Sequence, residues 1–247
     1  MKNSQAILFS LDVLTRQKTE CEETRKLYMD ISALQFPHLH QHLALHEIQK
    51  IAESTLIVFN ACVEQTLMRG LQAPSLSMIA SRAISQVLNR DATIDEISEI
   101  MMVASRMINP SISRRFSACL IALQQSGYML GIIANTPLSA FILSDMLEDI
   151  GLVRRFETIV TSSDAGYFKP HPKIFELAIE SMQCEPSNVI VVGSNLERDL
   201  LPISETACKK VYINNHRKRQ KLPKGFYRVS SLEELPALDL KKILRGD

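Results

Sequence analysis

Between residues 128 and 214 the chain carries four short runs, YMLGIIA, ETIVTS, NVIVVGS and KKVYIN, separated by segments of 14 to 25 residues that hold amphipathic stretches. Few folds accept this pattern. Strand-length apolar runs alternating with helix-length segments are the sequence form of repeated β-α-β units. Runs that are apolar throughout, rather than at every second position, describe strands covered on both faces, as in a parallel sheet between helices. A fifth run, AILFSL at residues 6–11, lies about 115 residues ahead of the others. The spacing predicts an α/β fold: a Rossmann-like, mainly parallel sheet core from residues 1–15 and 109–247, interrupted by an inserted all-helical domain at 16–108.

The insertion reads as helices because its apolar residues recur at helical spacing. One series is Leu43, Ile48, Ile51, Leu56 and Val58, a second Ile79, Ile84, Val87 and Leu88, and a third Ile94, Ile97, Ile100 and Met101. Thr93 with Glu96 has the form of a capping box, and Pro37 and Pro74 stand where helices can begin. Ser231 with Glu234 predicts a capped final helix near 232–244.

Composition narrows the function classes. With 28 basic and 27 acidic side chains the formal charge is +1, which gives no electrostatic case for nucleic-acid or membrane-surface partners. The one basic run, HRKRQKLPK at 216–224, reads as a solvated loop. No apolar run approaches the roughly 18 residues of a membrane span, and Asp12 cuts the first run short of a secretory segment. Five dispersed cysteines without a CxxC pair read as reduced packing residues, and the expected compartment is the cytoplasm.

In open parallel sheets chemistry gathers at the carboxyl ends of the strands. Four places qualify: Phe9-Ser10-Leu11-Asp12, Ile133-Ala134-Asn135-Thr136, Gly166-Tyr167-Phe168-Lys169-Pro170, and Val192-Gly193-Ser194-Asn195-Leu196-Glu197-Arg198-Asp199. In order and spacing they resemble the haloacid dehalogenase-like hydrolase superfamily, most closely over residues 128–213, with a helical cap inserted after the first motif. The resemblance implies phosphatase-like chemistry. It puts an aspartate nucleophile at Ser10, an acid/base at Asp12, a phosphoryl-binding Ser or Thr at Ala134 followed by Asn135, a phosphate-neutralising lysine at Lys169, and an acidic pair at Ser194 and Asp199, the first of which binds Mg²⁺. Thr136 is available as a substitute for the hydroxyl missing at Ala134.

Three of those positions have lost the expected group, and two of the losses are metal-holding carboxylates. A serine hydroxyl, unlike a carboxylate, needs a base to become a nucleophile, and Asp12 is the evident candidate in the sequence. Mg²⁺ prefers hard carboxylate oxygens, so hydroxyls at 10 and 194 should weaken it severely. Ser10, Ser194 and Asp199 are therefore vestigial metal positions, with no cofactor expected and Mg²⁺ retained only by a residual hydrolase. Asp12, Asp199 and Lys169 leave the pocket at −1 without metal. Such a site suits an anion held through Asn135, Thr136, Lys169 and Ser194, so the expected partner is a small phosphorylated molecule or a protein. The alternatives are an Mg²⁺-dependent phosphatase with low residual activity and a structural interaction protein with a vestigial pocket. Lys169, Asp12 and Asp199 also admit plain surface roles, which their motif context disfavours.

His38, His42 and His46 recur at i, i+4 and i+8, which on one helix would form a face able to hold a transition metal. No HExxH motif accompanies them, and a solvated or packing face is the expected reading.

Overall fold

The computed structural model describes residues 4–15, 34–69, 72, 74–108, 112–214 and 221–245. The chain divides into two compact units, Met1–Thr15 with Ile112–Asp247, and Arg16–Ser111.

The first unit is built on a six-stranded sheet. Its strands are β1 (Gln5–Ser10), β2 (Tyr128–Ala134), β3 (Thr158–Thr161), β4 (Val189–Gly193), β5 (Lys209–Ile213) and β6 (Phe226–Val229), in the order β3-β2-β1-β4-β5-β6. Every pairing is parallel, and β1 sits between β2 and β4, with Ser10 opposite Ile133 and Phe9 opposite Val192. β1 and β4 are apolar at nearly every position because both faces are covered. Ile7, Phe9, Ile132 and Val192 face one buried cluster and Ala6, Leu8, Val189 and Val191 the other. Each large side chain so buried contributes about 1.5–3 kcal/mol before entropy is counted.

Helices α4 (Ser117–Gln125), α5 (Ala140–Asp149) and α7 (Pro172–Ser181), with the single turn α6 (Ser162–Ala165), accompany the sheet. Ser139 caps α5 by accepting from the Ile142 N–H, and His171 with Pro172 opens α7. The expected final helix is two pieces. A 3₁₀ segment, Leu232–Ala237, contains Pro236 and is followed by the short α8 (Leu240–Arg245). Proline cannot donate into a continuing helical ladder, and Glu234 accepts from the Ser230 N–H while the Ser231 side chain caps nothing.

Within the first unit, the backbone on either side of residues 16–111 is joined. Thr15 and Ile112 form an antiparallel bridge, and the Ser113 N–H donates to the Leu14 carbonyl at 2.9 Å.

Among its described residues the second unit is helical: α1 (Leu45–Arg69), α2 (Leu76–Leu88) and α3 (Ile94–Ile108). They close around Leu39, Ile48, Ile51, Ile84, Ile100 and Val103, so the helical periodicity of the sequence corresponds to a packed face. Thr93 and Glu96 form the reciprocal capping box, at 2.8 and 3.3 Å, and Arg90 grips the same carboxylate. Arg90 holds the Glu96 carboxyl down at about 2.

The histidines do not share a helical face. His38 and His42 flank a 3₁₀ turn, Leu39–Gln41, whereas His46 belongs to α1. Glu99 causes the break, because its buried carboxylate accepts from the N–H groups of His38 and Leu39 and fixes the turn from 60 residues away. Among the described residues no group of three or more His, Cys, Asp or Glu is placed to hold a metal ion. The residues 216–220 of the basic run lie outside the described residues, as does Cys21, while Cys62, Cys119, Cys184 and Cys208 are free thiols. No helix among the described residues is long and apolar enough to cross a membrane.

Candidate active site

The parallel sheet carries all four candidate segments to one edge. Ser10 ends β1, Ala134 ends β2 and Gly193 ends β4, so the residues that follow each strand share the same rim. Lys169 arrives on the loop between α6 and α7 and is secured by its backbone. Asn135 Oδ1 accepts from the Lys169 N–H at 2.7 Å and Asn135 Nδ2 donates to the Lys169 carbonyl at 2.9 Å. The Asn135 amide is thus committed to positioning Lys169.

The Lys169 side chain is 1% exposed and makes two bonds, donating to Ser10 Oγ at 2.6 Å and to Asp199 Oδ1 at 2.9 Å. Asp199 is equally buried and has more partners. Arg198 Nε donates to its Oδ1 at 3.0 Å, and the N–H groups of Ser194 and Asn195 donate to its Oδ2 at 3.3 and 3.0 Å. Gly193 makes room for this arrangement, since a Cβ there would lie 2.5 Å from the Asp199 Cβ. Burial alone would raise the Asp199 carboxyl, but Lys169 and Arg198 hold it below the usual aspartate value. Burial pulls Lys169 below the usual lysine value, against the opposing attraction of Asp199 and Asp12.

Asp12 stands on the 3₁₀ turn Leu11–Leu14 and is solvent-exposed. Its carboxylate pairs with Arg198 Nη2 rather than with Ser10. The base that the sequence offered to Ser10 is therefore engaged elsewhere, and Ser10 meets Lys169 as an acceptor. A protonated Lys169 in that position cannot take the serine's proton. With Arg198 counted, two carboxylates face two cations, so the cluster is neutral and not at −1.

Thr136 is buried. Its N–H donates to Ser162 Oγ, the Ser162 hydroxyl donates to the Thr136 carbonyl, and Thr136 Oγ1 accepts from the Leu138 N–H at 3.2 Å. Ser194 is exposed on the rim, and only its backbone joins the Asp199 network. The sequence reading missed Arg198 and Ser162. Arg198 carried a usable signal, a cation beside a motif carboxylate in a stretch already short of metal ligands, whereas the Ser162 contact had none.

A family profile for haloacid dehalogenase-like hydrolases matches residues 30–204. The chain belongs to this family. The curated relatives include glyceraldehyde 3-phosphate phosphatase from Methanothermobacter thermautotrophicus, which is 28% identical over 131 residues, 52% of this chain and 56% of that protein. The chain thus spans about half, or less, of the length of the curated relatives it matches. In fold, this haloacid dehalogenase-like chain is similar to 2-haloacid dehalogenase from Pseudomonas syringae pv. Tomato DC3000 (TM-score 0.59, 17% identity, 95% of this chain and 97% of that one). It is also similar to a HAD phosphatase from Thermococcus onnurineus (TM-score 0.52, 21% identity, 98% and 99%).

The haloacid dehalogenase-like resemblance implies Mg²⁺, and the donor set here does not suit that ion. Mg²⁺ demands near-octahedral oxygen coordination anchored by one or two carboxylates. Positions 10 and 194 supply hydroxyls, both Asp199 oxygens are filled by five donor nitrogens, and the Asp12 carboxylate is held by Arg198.

Proposed function

We propose that this haloacid dehalogenase-like chain holds a small phosphorylated molecule without metal and without turnover. One observation carries the reading: the two surviving carboxylates are paired with Arg198 and Lys169, and Ser10 faces an ammonium donor in place of a base. In this reading Lys169 and Ser10, with the exposed Ser194 hydroxyl, receive the anion, and Asn135 positions Lys169. A neutral cluster supports it, because an incoming phosphate meets no net negative charge. Free thiols fit a reducing compartment such as the cytoplasm.

Thermal melts in phosphate or sulfate, with EDTA or with Mg²⁺, test the proposal alongside hydrolysis of p-nitrophenyl phosphate. The expected result is equal stabilisation by the anion in both media and no release of nitrophenol. Mg²⁺-dependent turnover that Asp12→Asn abolishes would refute it.

That outcome would favour the second reading, a phosphatase of low residual activity, which the names of the curated relatives support. Asp12 would then have to leave Arg198 to pass a proton to the leaving group.

A further inference from the structure

Arg198 occupies a place that neither the nucleophile position nor the lysine explains. Its guanidinium joins the two surviving carboxylates, with Nε 3.0 Å from Asp199 Oδ1, Nη2 3.4 Å from Asp199 Oδ2, and Nη2 also paired with Asp12 Oδ2. One of those carboxylates follows β1 and the other follows β4, on adjacent strands of the sheet. A guanidinium stays charged at any working pH and presents its donors in a planar fork that fits two acceptors at once.

We infer that the Arg198 guanidinium stands in for the divalent cation, so that the unaltered chain takes no divalent ion at this cluster while Arg198 remains. The argument is one of charge and space. Lys169 answers one of the two carboxylates, and Arg198 answers the other and brings the cluster to neutrality. A divalent ion added beside Arg198 would give the cluster two uncompensated positive charges. With Arg198 made neutral, the cluster carries one uncompensated negative charge and the Asp12 oxygens are free to ligate. Half-burial of Arg198 strengthens its hold, because two hydrogen-bonded carboxylates on a partly desolvated guanidinium are less screened than a surface pair.

The inference rests on the metal-free reading above, and the two fail separately. Phosphate stabilisation of the unaltered protein in EDTA tests the reading, whereas the cation response of Arg198 variants tests the inference.

The experiment uses the full chain with Arg198→Gln and Arg198→Ala, and Mn²⁺ alone as the probe. Binding is read by the loss of the free-Mn²⁺ electron paramagnetic resonance signal and by thermal melts in EDTA and in Mn²⁺. Expected results are an unaltered protein that leaves Mn²⁺ free and melts at one temperature in both media, and variants that melt lower in EDTA and regain a few degrees in Mn²⁺. Folded variants with no response to Mn²⁺ overturn the inference. So does an unaltered protein that binds Mn²⁺ and loses it in Asp12→Asn, a comparison that decides the matter even where neither Arg198 variant folds.

Discussion

Asp199→Asn and Lys169→Met remove opposite ends of one buried ion pair, and the structure makes their costs unequal. Asp199 accepts from Lys169 Nζ, Arg198 Nε and Nη2 and the N–H groups of Ser194 and Asn195, whereas among the described residues Lys169 Nζ has only Ser10 Oγ and Asp199 Oδ1. An asparagine at 199 fails at both ends. Whichever way its amide turns, the NH₂ faces donors, either the two backbone N–H groups or Lys169 with Arg198. The ammonium then stays buried with neutral partners only, at a cost of about 3–5 kcal/mol near neutral pH. Lys169→Met leaves Asp199 with four donor nitrogens and replaces the ammonium by an apolar group of similar length, at a cost of about 1–3 kcal/mol. The two losses also differ in pH dependence. In Asp199→Asn the folded Lys169 value lies further below that of the unfolded chain, about 10.4. Between those values the unfolded chain holds more protons, so stability rises with pH and the deficit shrinks as pH climbs from the folded value towards about 10. Urea unfolding followed by tyrosine fluorescence isolates the effect, because the chain has no tryptophan and four of its five tyrosines belong to the sheet unit. A Lys169→Met variant as unstable as Asp199→Asn, or an Asp199→Asn deficit that does not change with pH, would refute the reasoning.

Three further outcomes are expected. Gly193→Ala presses a methyl group to 2.5 Å from the Asp199 Cβ, which the hydrogen bonds to its carboxylate hold in place, so the urea midpoint should fall by the equivalent of about 1–3 kcal/mol. Asn135→Ala frees the Lys169 backbone from two bonds, and phosphate stabilisation in thermal melts should weaken together with a stability loss of about 1–3 kcal/mol. In the helical unit, Glu96 is held at about 2, below its unfolded value of about 4.3, so its stabilisation is present above that unfolded value and lost as pH falls from about 4 towards 2. Glu96→Gln should flatten that part of the acid titration followed by circular dichroism.

The sheet was readable in the sequence because strands covered on both faces leave no polar gaps. YMLGIIA and NVIVVGS announce themselves, and the strand-end rule then indicates Ser10, Asn135 and Ser194 without coordinates. The pairings were not readable. Lys169 reaches Ser10 across 159 positions, and Asp12 meets Arg198 across 186, distances at which no periodicity operates. Counting charges from motif positions alone therefore omitted Arg198, since it occupies a place the family pattern leaves open. The histidine series shows the opposite error. Its i, i+4, i+8 spacing is real, but Glu99 stabilises a turn at Leu39–Gln41 and so divides the residues between two elements. Pro236 likewise divides what the capping pattern at Ser231 and Glu234 presented as one helix.

The place of β1 at the centre of the sheet imposes an order on how this protein is made. The six-residue segment leaves the ribosome well ahead of its neighbours β2 and β4, which follow only at Tyr128 and Val189. Until then its backbone donors and acceptors have no ladder, and Leu8 and Phe9 have nothing to lie against. A nascent chain of this design therefore carries an unpaired sticky strand until those later segments emerge, the condition in which chaperones and slow long-range closure govern yield.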